Sequence, residues 1–189
     1  MPAIDYVSIV KSVYTDRRAM VMGAVAAVLG VAATAIRTQS PIIWAITIGF
    51  VLVTVYRYID MTAFIRAKVG PTDVDAAARW EVRATYGGAS FAFMCGAWCF
   101  ASLVFVNDPI AELVSLVITI ACMVGIVMRN FGLDRLLTVQ LVIALTLISA
   151  GLVLHGGVYH WFLAIVMLPM LASFRSLARD GRGVLLSAV

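Results

Sequence analysis

The stretch that decides the fold is Arg79-Trp80-Glu81-Val82-Arg83-Ala84-Thr85-Tyr86-Gly87-Gly88-Ala89-Ser90-Phe91-Ala92-Phe93-Met94-Cys95-Gly96-Ala97-Trp98-Cys99-Phe100. It begins with charge and an aromatic and then stays apolar for long enough to enter a bilayer, as a membrane helix with a cytoplasmic foot does. On a 3.6-residue period Ala84, Gly88, Ala92 and Gly96 fall one above another. Such a ladder of small residues lets a neighbouring backbone approach closely where lipid gives no hydrophobic drive. The stretch is therefore expected in the middle of a bundle. Cys95 and Cys99 extend the same face, and Phe91, Phe93, Trp98 and Phe100 surround it with bulk.

The rest of the chain has the same character. Its 189 residues are 63% hydrophobic and 13% charged, with a mean hydropathy of +1.03, whereas a soluble domain carries about a quarter charged residues. The expectation is an all-α integral membrane protein, a bundle of six transmembrane helices with no room for a sizeable soluble catalytic domain. Cys95, Cys99 and Cys122 all lie in apolar runs and read as small buried thiols, without a disulfide framework. The net charge of +4 does not mark a nucleic-acid partner, because the basic residues are spread by membrane side and not gathered into a patch.

In chain order, residues 1–18 form a cytoplasmic-side amphipathic helix, with Tyr6, Val7, Val10, Val13 and Tyr14 on one face and Asp5, Ser8, Ser12 and Asp16 on the other. It either lies in the plane of the inner leaflet, with Lys11, Arg17 and Arg18 near lipid phosphates, or folds against the bundle. Residues 19–174 hold the spans, at about 19–36, 42–58, 84–106, 110–128, 136–154 and 158–174. Ala33-Thr34-Ala35 resembles a signal-peptidase site, but the long entry helix argues against cleavage. Between spans two and three the connection Asp60 to Ala78 contains the turn Gly70-Pro71 and a helix start capped by Thr72 or Asp73. Residues 175–189 form a basic cytoplasmic exit segment with Arg175, Arg179 and Arg182.

With six spans, every lysine and arginine except Arg37 falls on one side of the membrane. The positive-inside rule then puts both termini in the cytoplasm and leaves three short outer turns.

Ionisable and polar groups at membrane depth are the functional candidates. Glu112, Ser115, Thr119 and Cys122 draw one polar stripe along span four, which must face the bundle interior because lipid cannot satisfy it. The last outer turn, His155-Gly156-Gly157-Val158-Tyr159-His160-Trp161, reaches the same level. A shallow outward-facing site lined by Trp44, Trp98, Glu112, Ser115, Thr119, His155, Tyr159 and His160 is expected to bind a small ligand or report outer pH, the histidines being the groups that titrate near neutrality. Haem or metal held by His155 and His160 is a weaker version of that reading, since their spacing is not a recognised ligand pattern. Gln140 is expected to hydrogen-bond across the bundle, Pro169 to kink span six, and Arg57 and Asp60 are close enough to pair. Nothing pairs a nucleophile with a base or cradles a phosphate, so no catalytic residue and no resident cofactor is assigned.

The segments Ser12-Val13-Tyr14-Thr15-Asp16-Arg17-Arg18, Tyr56-Arg57-Tyr58-Ile59-Asp60, Arg79 to Ala89, Gly96-Ala97-Trp98-Cys99 and Arg129-Asn130-Phe131-Gly132 ahead of Gln140 resemble the N-terminal six-span region of bacterial cyclic-di-GMP signalling proteins. In that family the membrane region precedes GGDEF, and often EAL, domains that make or degrade the messenger. The resemblance implies a sensory and anchoring module of the bacterial inner membrane, dimeric, whose last helix passes a conformational change to a cytoplasmic diguanylate cyclase or phosphodiesterase. Gly183 to Val189 carry no GGDEF or EAL sequence, so the expectation is a truncated chain or a stand-alone remnant. The rival readings are an assembly subunit of a larger membrane complex, a small transporter, and a cofactor-holding redox subunit.

Overall fold

In the computed structural model the backbone of residues 3–15 and 17–187 is described, with side chains over 4–15 and 17–177. Asp16 of the entry helix, and Arg179, Arg182 and the rest of the exit segment beyond Leu177, lie outside the described side chains. The described residues form seven helices: α1 (Ala3–Thr15), α2 (Arg17–Thr38), α3 (Pro41–Ala67), α4 (Val74–Ala101), α5 (Pro109–Asn130), α6 (Asp134–His155) and α7 (Val158–Ser187). A π-helical turn, Ser102–Val106, extends α4. Helices α2 to α7 supply six segments long and apolar enough to cross a membrane. That is the architecture of a multi-pass helical bundle.

Contacts between turns fix the layout. At one end Arg37, before the α2–α3 turn, clasps Asp108 in the α4–α5 turn with two nitrogens. At the same end His155, closing α6, reaches Leu103 of the π turn. At the other end Tyr14 of α1 meets Asp60 of α3 and the Trp80 carbonyl of α4, and Arg175 of α7 reaches Thr138 of α6. Consecutive long helices thus run antiparallel, with a cation-poor end at Arg37 and a cation-rich end opposite. Half of the most apolar window of α4 is buried, against 11% for α7, so α4 is central and α7 peripheral.

The small-residue ladder explains the centre. Ala84, Gly88, Ala92 and Gly96 are all buried, and α6 fills the groove they leave. A Cβ added at Gly88 would lie 2.6 Å from Gln140 Nε2 and 2.9 Å from Leu136 Cδ1, and one at Gly96 2.8 Å from Leu147 Cβ. Gln140 accepts a 2.7 Å bond from Asn130 Nδ2, tying α6 to the end of α5. Trp98 is fully buried, edge-on to Phe50, whereas Phe93, expected to pack, faces outward and is exposed. Pro169 lies inside α7.

One boundary differs from the sequence reading: α3 runs to Ala67 instead of ending near residue 58. The helix expected to start after a cap at Thr72 or Asp73 does so at Val74 and continues without a break as span three, so the long connection shrinks to residues 68–73. The cause is burial beyond the apolar run: Asp60, Met61 and Phe64 on α3 are enclosed, with Tyr14 stacked on Phe64 at 4.2 Å. Lys68 adopts a left-handed conformation that closes α3, and Asp73 caps α4 by accepting the Ala76 N–H at 2.9 Å.

Between the two placements open to α1, the structure has it folded against the bundle. Val7, Val10, Val13 and Tyr14 are buried while Ser8 and Ser12 face outward. The Tyr6 hydroxyl donates to Glu81. Burial, reinforced by that carboxylate, pushes the Tyr6 phenol up to about 12, and burial beside Asp60 pushes Tyr14 higher still.

Candidate functional site

The cation-poor end is built from helix termini. α4 cannot continue into α5, because Pro109 has no N–H and Asn107 turns the chain with φ 52°. Asp108 then caps α5, accepting the N–H groups of Ile110 and Ala111 at 3.1 and 2.9 Å. The Arg37 guanidinium beside it, helped by these N–H groups, holds the Asp108 carboxyl below the usual carboxylate range. Arg37, the one cation outside the basic set, is in this way neutralised by an ion pair of 3.0 Å.

Glu112 sits in the first turn of α5. His155 is the last residue of α6, and His160 lies in the first turn of α7. The link between the histidines is Gly156-Gly157, with φ of 82° and 85°, a left-handed pair that side-chain-bearing residues rarely adopt. It folds α7 back so that the two imidazole rings stand 4.0 Å apart, tilted by 47°. The Trp161 indole donates to Val153 O at 3.3 Å and holds the two helices in that relation.

One ligand atom from each of Glu112, His155 and His160 lies within 4.8 Å of the other two, and all three residues are half-buried. His155 is the best fixed. Its Nδ1 lies 2.7 Å from Leu103 O, and because a carbonyl can only accept, Nδ1 is the donor, so that in the neutral ring Nε2 is the lone-pair nitrogen. The π turn is what makes that carbonyl accessible: the Asn107 N–H goes to Ser102 O, five residues back, at 3.2 Å. π turns of this kind are frequent at functional sites.

The structure therefore gathers three of the eight residues expected to line the site. Ser115 and Thr119 lie deeper on the same stripe and are fully buried. Ser115 bonds back to Glu112 O at 2.9 Å, while Thr119 donates to Cys95 O at 3.3 Å and accepts from Cys99 Sγ. No described contact joins Trp44, Trp98 or Tyr159 to the three. Trp98 is wholly enclosed, Tyr159 is 83% exposed, and Trp44 is exposed at the start of α3. Aromatic rings near a helix end do not reveal in sequence whether they face the core or the outside.

Glu112, His155 and His160 could hold a metal ion. They do not fit two-histidine haem ligation, because centroids 4.0 Å apart leave no space for a porphyrin between the rings.

A second polar cluster lies at the cation-rich end. Asp60 is buried and pairs with Arg83 Nη2 at 2.7 Å, not with Arg57, and Arg83 lies 4.3 Å over the Trp80 ring. Arg57 instead faces Phe91 and lines, with Gly23, Cys122, Gly125 and Arg129, an apolar cavity of about 300 Å³. Arg17 bonds Thr62 at 3.0 Å and lies over Tyr58. The only sequence signal was that these residues sit in the three charged, aromatic segments flanking spans one to three.

Comparison with family models, with characterised proteins and with solved structures returns no match.

Proposed function

We propose that the chain is the membrane-embedded sensory and anchoring region of a bacterial signal-transduction protein, taking its input at the cation-poor end and delivering it through α7. In this reading the bundle lies in the inner membrane, with the cation-rich end and both termini in the cytoplasm, as the positive-inside rule favours. Glu112, His155 and His160 then face outward. The observation that carries the reading is the course of α7. It holds His160 in its first turn and continues for 30 residues, about 45 Å at helical rise. It is also the least buried long helix, so a small displacement disrupts few packed contacts.

A stimulus that draws His160 toward or away from Glu112 and His155 would move the start of α7, and the continuous helix would carry that displacement toward its far end. The likeness of segments 12–18, 56–60, 79–89, 96–99 and 129–132 to cyclic-di-GMP proteins supplies the output: a GGDEF or EAL enzyme following α7. The bundle itself provides input and anchoring and no chemistry. A homodimer covering the exposed α7 residues Val158, Phe162, Ile165 and Leu168 would suit such an output.

The test is the cyclic-di-GMP content of source cells carrying Glu112→Gln or His160→Asn at the native locus, with Tyr159→Phe as control. Both site variants should change the messenger level and the control should not. Levels equal to wild type in both site variants, at wild-type abundance, would reject the reading.

A further inference from the structure

We propose that Glu112, His155 and His160 form a binding site for one divalent transition-metal ion of the zinc class. The inference rests on the reading of this cluster as the input site and names its ligand.

The donor set is two imidazoles and one carboxylate, the combination that suits zinc and its neighbours in the first transition row. Three protein donors leave a further position for water or an exogenous group, so the site binds without a closed cage. Tetrahedral coordination at ordinary bond lengths places donor atoms about 3.4 Å apart. The three atoms already lie within 4.8 Å of one another. Side-chain rotation of half-buried Glu112 and His160 would have to close the remaining gap.

The support around the donors is of the kind that metal sites use. A ligating imidazole commonly donates its other N–H to a carbonyl or carboxylate, which sets the tautomer and the ring orientation. His155 does this through Nδ1 to Leu103 O at 2.7 Å, and that carbonyl is presented by the π turn. His160 is brought opposite it by the Gly156-Gly157 turn, with φ of 82° and 85°. Glu112 supplies the negative charge, from a helix turn capped and anchored by the Asp108–Arg37 pair.

Without a cation, two imidazoles and a carboxylate share a half-buried space with no hydrogen bond described among them. A divalent ion satisfies all three at once. Because the donors come from the starts of α5 and α7 and the end of α6, occupancy ties the first turn of α7 to the bundle.

The test uses the full chain, purified in detergent and stripped of metal. Zinc binding is measured by equilibrium dialysis with elemental analysis, and cobalt(II) is added as a spectroscopic probe of the donor set. Wild type should bind one ion per chain, and its cobalt complex should show visible ligand-field bands that zinc abolishes. Changing a group that only supports a ligand costs about 10–100-fold in affinity, so Glu112→Gln and His160→Asn should each cost at least about a hundredfold. The isosteric Glu112→Gln keeps the fold, which its unfolding temperature in metal-free buffer verifies. Binding of zinc by Glu112→Gln as tightly as by wild type, or no saturable binding by wild type, overturns the site. Specific zinc binding together with an unchanged messenger level in the site variants would keep the metal site and remove the sensory reading. A changed messenger level without zinc binding would do the reverse.

Discussion

Gly88→Ala should destabilise the bundle, although the same change elsewhere in a helix stabilises it. The added Cβ would sit 2.6 Å from Gln140 Nε2, 2.9 Å from Leu136 Cδ1 and 3.0 Å from Gln140 Cδ. Gln140 cannot simply withdraw, because it is fully buried and its Oε1 is held by Asn130 at 2.7 Å. Overpacking of this kind costs about 1–3 kcal/mol. Losing an interhelical hydrogen bond in a membrane bundle adds about 0.6–1.7 kcal/mol. Against these, alanine is better than glycine inside a helix by about 1 kcal/mol. The net expectation is a loss of about 0.6–3.7 kcal/mol.

Gly125 in α5 is the control, since nothing lies within 4 Å of a Cβ added there. Gly125→Ala should be neutral or gain up to about 1 kcal/mol. Unfolding by sodium dodecyl sulfate in mixed micelles, followed by the fluorescence of buried Trp98, would compare the two. Adding Gln140→Ala to Gly88→Ala should recover the steric part of the loss, a coupling that a double-mutant cycle isolates. If Gly88→Ala proved as stable as Gly125→Ala, the close approach of α4 and α6 described above would be wrong.

Three further outcomes follow from other parts of the fold. Tyr14→Phe keeps the ring on Phe64 but removes the hydroxyl shared by Asp60 and Trp80 O; it should cost about 1–3 kcal/mol and appear as faster amide exchange confined to α1. Because the Tyr6 phenol is raised from 10.0 to about 12, and Tyr14 is raised too, their contribution to docking α1 is complete below pH 10. It is lost as pH rises through the folded-state values, so protease sensitivity of α1 should increase from pH 10 upward and stay flat below. Gly157→Ala forces a side chain into φ 85° at about 1–2 kcal/mol, and it should weaken zinc binding by displacing His160, whereas Gly23→Ala, with open space around it, should leave binding unchanged.

The sequence revealed what depends on local periodicity. The ladder from Ala84 to Gly96 could be read because small residues four apart have one geometric use, and Ser115 and Thr119 faced inward for the reason their stripe implied. Gln140 was expected to bond across the bundle, and it does. What escaped depends on contacts distant in sequence. Asp60 is three residues from Arg57, yet it pairs with Arg83 from the next helix. The continuation of α3 to Ala67 was hidden because its polar residues resemble a loop until Tyr14 and Phe64 are seen to stack. The π turn has no sequence mark in Ser102 to Val106. At the candidate site, Glu112 and the histidines were singled out by chemistry, but only the backbone at Gly156 and Gly157 brings the rings together. Trp44, Trp98 and Tyr159 were grouped with them by depth alone, which leaves rotation about each helix axis undetermined.

The most direct test of the account is whether the cation-poor cluster controls the far end of α7. Spin labels at Ser12→Cys and Leu177→Cys, both exposed positions, would be placed in a Cys122→Ala background, with Cys95 and Cys99 protected by burial. Distances would be measured in lipid nanodiscs with and without zinc. A shift of the distance distribution by about 2 Å or more on adding zinc, absent in Glu112→Gln, is the result predicted. Superimposable distributions with and without zinc, in a protein shown to bind it, would contradict the account.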